Sequence, residues 1–77
     1  MEAKMLPHNL DAEQALLGCM LLDERVPMTV VSELKEEDFY SETHKIIYSA
    51  MLEIYRKNMP IDFVTVTDEL DKNGQLN

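Results

Sequence analysis

Four segments with the apolar spacing of helices make up this chain, and residues that end helices or reverse the chain separate them. The separators are Pro7, Pro27, the stretch 58–60 and Asn73 with Gly74. Strand-like alternation is visible only within the last segment, where helix-start signals favour a helix instead. The pattern predicts an all-α fold, a small compact bundle of about four short helices.

The first helix is predicted over about residues 10–22. Asn9 is placed to accept amide hydrogens of the first turn, and Asp11 and Glu13 stand near the positive end of the helix. Apolar residues surround most of its second half, which predicts a central, largely buried helix. Gly18 costs ~1 kcal/mol relative to alanine inside a helix, so it indicates either a close approach by another element or a tolerated weak point.

The second helix is predicted over residues 27–34. Pro27 suits the first helical position, where the missing N–H would have had no partner. The β-branched residues Thr29, Val30 and Val31 lower the intrinsic helicity. This helix therefore depends on tertiary packing.

The third helix, about residues 42–57, has the clearest pattern. Ser41 is its predicted N-cap, and Asn58 is predicted to end it in a left-handed conformation. Glu53 and Lys57 are spaced for an ion pair on its solvent face. Its apolar face, flanked by Tyr48 and Tyr55, is formed by Ile47, Ala50, Met51 and Ile54.

The fourth helix is predicted to follow the cap residue Asp62 and to end near Lys72. Ile61 can pack on Val66 as a hydrophobic staple. Its buried stripe is predicted to contain Phe63 and Leu70, and Leu76 to fold back on the last turn after the left-handed turn at Asn73 and Gly74.

A chain of 77 residues holds one domain. Residues 1–8 are predicted to be an N-terminal extension and residues 9–77 a globular helical head. No apolar run approaches the length that spans a bilayer, and the first residues lack the pattern of a secretory signal. A cytoplasmic location is the default expectation.

Charge narrows the classes of partner. Fifteen acidic and seven basic side chains give a net charge of −8, which repels a phosphate backbone and disfavours direct binding of nucleic acid. The acidity serves either solubility or attraction of a basic protein partner. The same two interpretations apply to the acidic run Glu36, Glu37 and Asp38, which could also attract a cation.

Candidate catalytic and metal-binding residues are few. His8 and His44 are the only histidines, and neither stands in a zinc, calcium or phosphate-loop motif, so no metal or cofactor is expected. His44 is interpreted as a packed histidine bonded to backbone or to Asp38, with a proton switch as the alternative. Cys19 is interpreted as a buried thiol beside Met20.

Two residues are candidates for exposed protein contacts. Tyr55 lies at the edge of the apolar stripe of the third helix, and Met59 lies in the turn before Pro60. Most of the other methionines and tyrosines are needed to fill a core of this size. Composition therefore predicts a helical interaction domain.

The motif at 7–18, which contains Ala-Glu-Gln and Leu-Gly, is followed by other distinctive stretches. These are 38–40 with His44 and Ile47, 60–62 with the helix 65–70, and 74–76. In order and spacing over nearly the whole chain, they resemble the N-terminal domain of DnaB-type bacterial replicative DNA helicases.

The resemblance implies a non-catalytic role in DNA replication. In that family, N-terminal domains form a collar, arranged as a trimer of dimers, above a hexameric ring of ATPase domains, and the C-terminal helicase-binding domain of primase docks on the collar. The implied partners are primase and other helicase subunits. Contact with nucleic acid or with a membrane is not expected of this chain.

The family continues beyond the position of Asn77 into a helical hairpin, a linker and the ATPase domain. Since the hairpin supplies a major dimer contact in the family, this chain alone is expected to be a monomer or a weak dimer, whereas the parent is a homohexamer. No matched position belongs to the nucleotide site. The resemblance instead matches residues that explain the fold, with Asp62 as a cap and Ala12, Leu17, Phe39, Ile47 and Leu70 in the core.

Two other functional classes remain as alternatives. Four short helices can host a helix-turn-helix that contacts DNA, although the acidic charge opposes it. An enzymatic function would have to use His44 and Asp38, which lack a nucleophile and a cofactor motif beside them.

Overall fold

The computed structural model describes residues 9–74, and this part of the chain forms four α-helices and one short 3-10 helix. They are α1 (Leu10–Leu22), α2 (Val26–Glu33), the 3-10 helix (Glu36–Asp38), α3 (Glu42–Arg56) and α4 (Phe63–Lys72). The all-α prediction is confirmed, and the ends of the predicted helices differ from these bounds by no more than one residue. None of these helices is long and apolar enough to cross a bilayer.

Three helices begin at the predicted N-caps, where a side-chain oxygen accepts an otherwise unpaired amide hydrogen of the first turn. The pairs are Asn9 Oδ1 with Ala12 N (3.0 Å), Ser41 Oγ with His44 N (3.3 Å) and Asp62 Oδ1 with Thr65 N (2.9 Å). The Thr65 hydroxyl in turn accepts the N–H of Asp62, which completes a capping box.

The predicted left-handed positions after α3 and α4 are also confirmed. Asn58 has φ 60° and Gly74 has φ 72°. Because Asn58 reverses the chain, the N–H of Met59 reaches back to the carbonyl of Ile54 at 3.2 Å. The predicted contact of Leu76 and the predicted extension at residues 1–8 lie outside the described residues.

The centre of the fold is α3, which packs against α1, the 3-10 helix and α4. Its apolar spacing brings a continuous face inward, as predicted, and Tyr48 is fully buried rather than flanking that face. The phenol stacks obliquely on Phe39 with ring centroids 4.8 Å apart. The buried core consists of Leu17, Met20, Val30, Leu34, Phe39, Tyr48, Ala50, Met51, Ile54, Ile61, Val66 and Leu70.

The prediction that α1 is central and largely buried is wrong. Leu17 and Met20 enter the core, but Ala15, Cys19 and Leu22 are exposed, and the side chain of Leu22 is 90% accessible. A helix that is apolar on all sides carries no sequence signal for which side faces inward. The other short helices cover only one face of α1. Cys19, whose thiol was predicted to be buried, lies on the face that they leave exposed.

Gly18 and two further details of the sequence interpretation are resolved by packing. A Cβ built on Gly18 meets no atom of the described chain within 4 Å, so the tolerated-weak-point interpretation holds and the close-approach one is wrong. Phe63 is 73% exposed, not buried, whereas the staple residues Ile61 and Val66 are both buried. The sequence predicts that Glu53 pairs with Lys57. In the structure Glu53 pairs with Arg56 instead, and Lys57 Nζ lies 3.3 Å from Oε1 of Glu69 in α4.

The core positions that the family resemblance supplied are largely correct. Leu17, Phe39 and Leu70 are buried, and Ala12 and Ile47 are partly buried. The acidic run after α2 is ordered as the 3-10 helix, and the N–H of Lys35 donates to the Asp38 carboxylate at 2.9 Å.

Candidate protein-interaction site

A buried carboxylate links α1 to the start of α3. Glu13 is fully buried, and its two oxygens accept hydrogen bonds from the N–H groups of Tyr40 and Ser41, the latter at 3.2 Å. Nδ1 of His44 lies 2.8 Å from the same carboxylate. Because an ionised carboxylate is only an acceptor, this nitrogen carries the proton and donates it. Glu13 therefore caps the N-terminal end of α3 from a different helix.

The electrostatics of Glu13 follow from these contacts. Burial raises the pKa of a carboxyl group, but hydrogen bonds from Tyr40, His44 and Ser41 outweigh burial and lower the pKa of Glu13 from its ordinary value. The group is thus held ionised inside the protein, with partners for both oxygens. Every buried side-chain nitrogen or oxygen in the described residues has a hydrogen-bond partner.

This cluster is structural in its geometry. The interpretation of His44 as a packed histidine is confirmed, but its partner is Glu13 rather than backbone or Asp38. A general base must reach its substrate, whereas the Glu13 side chain has no exposed surface. Within residues 9–74, no group of three or more histidine, cysteine, aspartate or glutamate side chains is arranged to hold a metal ion.

The two predicted contact residues lie together at the opposite end of α3. Tyr55 is 39% exposed and Met59 is 49% exposed, and both line one surface depression. The left-handed turn at Asn58 places Met59 beside the last turn of α3. The start of α2 forms the facing wall, where Met28 is 63% exposed. Sequence reasoning missed Met28 as a contact residue, although its place just after Pro27 puts it on the first turn of a short helix.

A second depression continues the first across Pro60 and Ile61. It reaches Leu22 at the exposed end of α1 and Asp62 at the start of α4. We call the combined surface the α3-end groove. Its exposed apolar residues are Leu22, Met28, Tyr55, Met59 and Pro60.

The charged residues that line the α3-end groove, which we call its rim, are net acidic. Three carboxylates, those of Asp23, Glu24 and Asp62, line it together with the guanidinium of Arg25. Arg25 donates to both oxygens of Asp23, at 3.1 and 3.0 Å, and these hydrogen bonds lower the pKa of Asp23 to about 2. Arg25 and Asp23 therefore neutralise each other, and the carboxylates of Glu24 and Asp62 leave the rim net negative.

A smaller apolar patch lies on the outer face of α4. Phe63 and Val64 are each 73% exposed and are followed on the same face by Thr67, Asp68 and Asp71. Sequence reasoning did not identify this patch, because it placed Phe63 in the core. The patch belongs to a single helix, whereas three segments of the chain build the α3-end groove.

Comparison with known proteins gives one consistent result. The family model described as "DnaB-like helicase N terminal domain" matches residues 5–77. The chain is 47% identical over 70 residues to the replicative DNA helicase DnaB of Leifsonia xyli and 43% identical over 70 residues to that of Mycobacterium leprae. Each alignment covers 91% of this chain, but only 15% and 12% of the respective relative.

A solved structure shares the fold. The crystal structure of the N-terminal domain of DnaB helicase from Mycobacterium tuberculosis superposes with a TM-score of 0.85 at 41% sequence identity. The match covers 92% of this chain and 49% of that chain. The relatives therefore extend well beyond the segment that this chain matches, and the helical head is the part they have in common with it.

Proposed function

Because the chain belongs to the family of DnaB-like helicase N-terminal domains, we propose that it is an interaction module of the helicase collar. In this proposal it organises the helicase subunits and docks primase during DNA replication, and it catalyses no reaction itself. The observation that carries the proposal is the family match over residues 5–77, together with the shared fold. Helicase activity is proposed only for a longer protein, since the chain spans 12–15% of these relatives.

The surface chemistry supports a protein partner. Several large apolar side chains remain exposed, and four of them, Leu22, Met28, Tyr55 and Met59, line the α3-end groove. Exposed apolar surface that is grouped and rimmed by polar residues is typical of protein–protein contacts. The net charge of −8 favours a basic protein over nucleic acid. A cytoplasmic location belongs to the same proposal, because bacterial replication takes place there.

The docking of primase is tested by titration. The ¹⁵N-labelled chain is mixed with the C-terminal helicase-binding domain of the primase from the same organism, and amide chemical shifts are followed at low and high salt. We expect shifts at low salt that weaken as salt screens the charges. If no amide signal moves at low salt, even with a longer chain that includes the segment after Asn77, primase docking through this domain is wrong.

The same titration with DNA tests the competing function. We expect neither single-stranded nor double-stranded DNA to shift the amide signals, because the acidic surface opposes the phosphate charge. Micromolar binding of DNA by this chain would instead favour a DNA-contacting module.

A further inference from the structure

The α3-end groove combines three properties that suit a protein ligand. It is concave and built from the α1–α2 turn, the start of α2 and the α3–α4 connection. Its apolar lining exposes an aromatic ring and two methionine side chains. Its rim is net negative, with Asp23, Glu24 and Asp62 against Arg25.

We propose that the α3-end groove binds an amphipathic helix of a partner protein, with apolar residues that enter the groove and basic residues that face its rim. The proposal rests on the proposed function and deepens it, because it names the docking surface and the chemistry of the partner segment. It concerns Leu22, Met28, Tyr55 and Met59 as the apolar contacts.

A helix fits this surface better than an extended peptide. An extended peptide gains affinity by adding a strand to a sheet edge, and residues 9–74 contain no strand. A helix satisfies its own backbone hydrogen bonds, so it can be bound by side-chain contacts alone. Helix-in-groove binding uses apolar residues at i, i+3 or i+4 and i+7.

The side chains of the groove suit such a ligand. Tyr55 offers a rigid ring with a polar end, which is a common anchor at interfaces. Met28 and Met59 are unbranched and polarizable, so they adapt to apolar side chains of different shape. All three are partly exposed and lie outside the buried core, so binding does not require the core to open.

Charge selects a basic helix. Glu24 is exposed, and Asp62 lines the groove with a carboxylate that also caps α4. Arg25 is occupied by Asp23, so it does little to attract an acidic ligand. Lysine or arginine flanking the apolar face of the ligand would therefore meet opposite charge on the rim, which speeds association and excludes acidic competitors.

The patch on α4 is a weaker candidate for the same ligand. Phe63 and Val64 project from one convex helix, whereas three segments of the chain form the α3-end groove. The patch nevertheless also combines apolar and acidic residues, with Asp68 and Asp71 on the same face. It therefore provides an internal control that is also acidic and whose apolar side chains are even more exposed.

The test uses two synthetic helical peptides of about five turns, a length at which helix formation becomes favourable in water. Both carry leucine on one face; one has lysine at the remaining positions and the other has glutamate. Each is titrated into the ¹⁵N-labelled 77-residue chain. We expect the lysine peptide to shift the amide signals of Met28, Tyr55, Asn58 and Met59, and the glutamate peptide to bind at least tenfold more weakly.

Two double variants locate the binding surface. Replacing Tyr55 and Met59 by serine is expected to weaken the lysine peptide at least tenfold, since interface anchors each contribute about tenfold or more. Replacing Phe63 and Val64 by serine is expected to leave its affinity within about twofold, because those side chains lie outside the groove. Circular dichroism checks that both variants remain folded. The proposal is overturned if the shifts map to α4, if the two peptides bind equally, or if the Tyr55 and Met59 variant binds as tightly as the parent.

The same variants separate this proposal from the proposed function. If the primase domain binds the parent chain and the Tyr55 and Met59 variant equally, the groove proposal fails and primase docking stands. If the primase domain does not bind while the lysine peptide binds in the groove as expected, the groove proposal stands and primase docking fails.

Discussion

At its N-terminal end α3 is held by a buried side chain from another helix, whereas at its C-terminal end it is closed by its own chain and exposes apolar residues to solvent. Glu13 of α1 binds the N–H groups that precede α3. Asn58, by contrast, ends α3 locally with a left-handed turn, and Tyr55 and Met59 stay accessible there. The first arrangement depends on tertiary structure and the second on the six consecutive residues 54–59.

The difference separates stability from binding within one helix. Around the first half of α3, polar groups are buried and each has a partner, so the loss of one partner leaves others unsatisfied at a high cost. At its C-terminal end, Tyr55 and Met59 are exposed, and their removal leaves no buried polar group without a partner. Loss of these buried polar contacts is therefore expected to lower the free energy of unfolding, whereas substitution of Tyr55 and Met59 is expected to affect binding with little change in stability.

The largest effect is expected from Glu13→Ala. The substitution removes the acceptor for two backbone N–H groups and for His44, and we expect a loss of about 3 kcal/mol in the free energy of unfolding. Urea denaturation followed by circular dichroism measures it. Asp11→Ala, an exposed carboxylate on the same helix, is the matched control and is expected to cost far less.

A milder variant keeps this test decisive if Glu13→Ala does not fold. Glu13→Gln retains an acceptor oxygen and the side-chain length, so an intermediate loss of stability is expected. The role of Glu13 in holding the N-terminal end of α3 is wrong if Glu13→Ala and Asp11→Ala have the same stability.

Acidification should weaken the same end of α3. The pKa of Glu13 is lower in the folded protein than in the unfolded chain, so its contribution is present above the unfolded pKa of about 4.5 and is lost as pH falls through the folded value. We expect the stability difference between the parent and Glu13→Gln to shrink below about pH 4.5. A difference that is independent of pH between 7 and 3 would contradict the assigned role of the ionised carboxylate.

Tyr48→Phe is expected to have a smaller effect, of about 1 kcal/mol. The Tyr48 hydroxyl donates to the carbonyl of Leu34 at 2.7 Å, and phenylalanine fills the same space without that bond. Thermal unfolding monitors the loss, and the exposed Tyr55→Phe serves as the control with no change expected. Equal melting temperatures for the two variants would show that the buried bond contributes nothing.

Ionisation of Tyr48 is expected to lower the free energy of unfolding at alkaline pH. Burial, with the negative charge of Asp38, raises the pKa of Tyr48 to about 12. Because the unfolded tyrosine ionises near pH 10, the stability that Tyr48 contributes is complete below that pH and is lost as pH rises toward 12. The parent should therefore lose more stability than Tyr48→Phe over this interval.

The smallest effect on stability is expected at the C-terminal end of α3. Replacing both Tyr55 and Met59 by serine should change the free energy of unfolding by no more than about 0.5 kcal/mol per site, because both side chains are partly exposed and neither belongs to the core. Urea denaturation provides the measurement. If the loss of stability is comparable to that of Glu13→Ala, the two ends of α3 do not differ as proposed, and Tyr55 and Met59 are needed for folding.

The features that could be predicted from the sequence are local ones. The caps Asn9, Ser41 and Asp62 and the left-handed Asn58 depend on neighbours within a few residues, and the structure confirms them. The strong amphipathic pattern of α3 likewise identifies its inner face. Tyr55 and Met59 could be proposed as exposed because one flanks that face and the other lies in a turn.

The errors concern residues whose environment is set by distant parts of the chain. Glu13 looked like an ordinary acid near a helix start, but its partners lie 27 to 31 residues away. The apolar neighbours of Cys19 predict a buried thiol, and the stripe that contains Leu70 predicts a buried Phe63, but both residues are exposed. No periodicity within a single segment contains the information about which helix covers it.

The start and end of each helix follow from the amino-acid sequence, because capping and turn formation are governed by residues only a few positions apart. The family likewise follows from motifs kept in order along the chain. The central position of α3, the burial of Glu13 between α1 and α3, and the surface shared by Leu22, Met28, Tyr55 and Met59 follow instead from how the helices pack. The physical reason is that burial depends on which faces meet in space, and a short bundle has too few helices to cover every apolar face that its sequence offers.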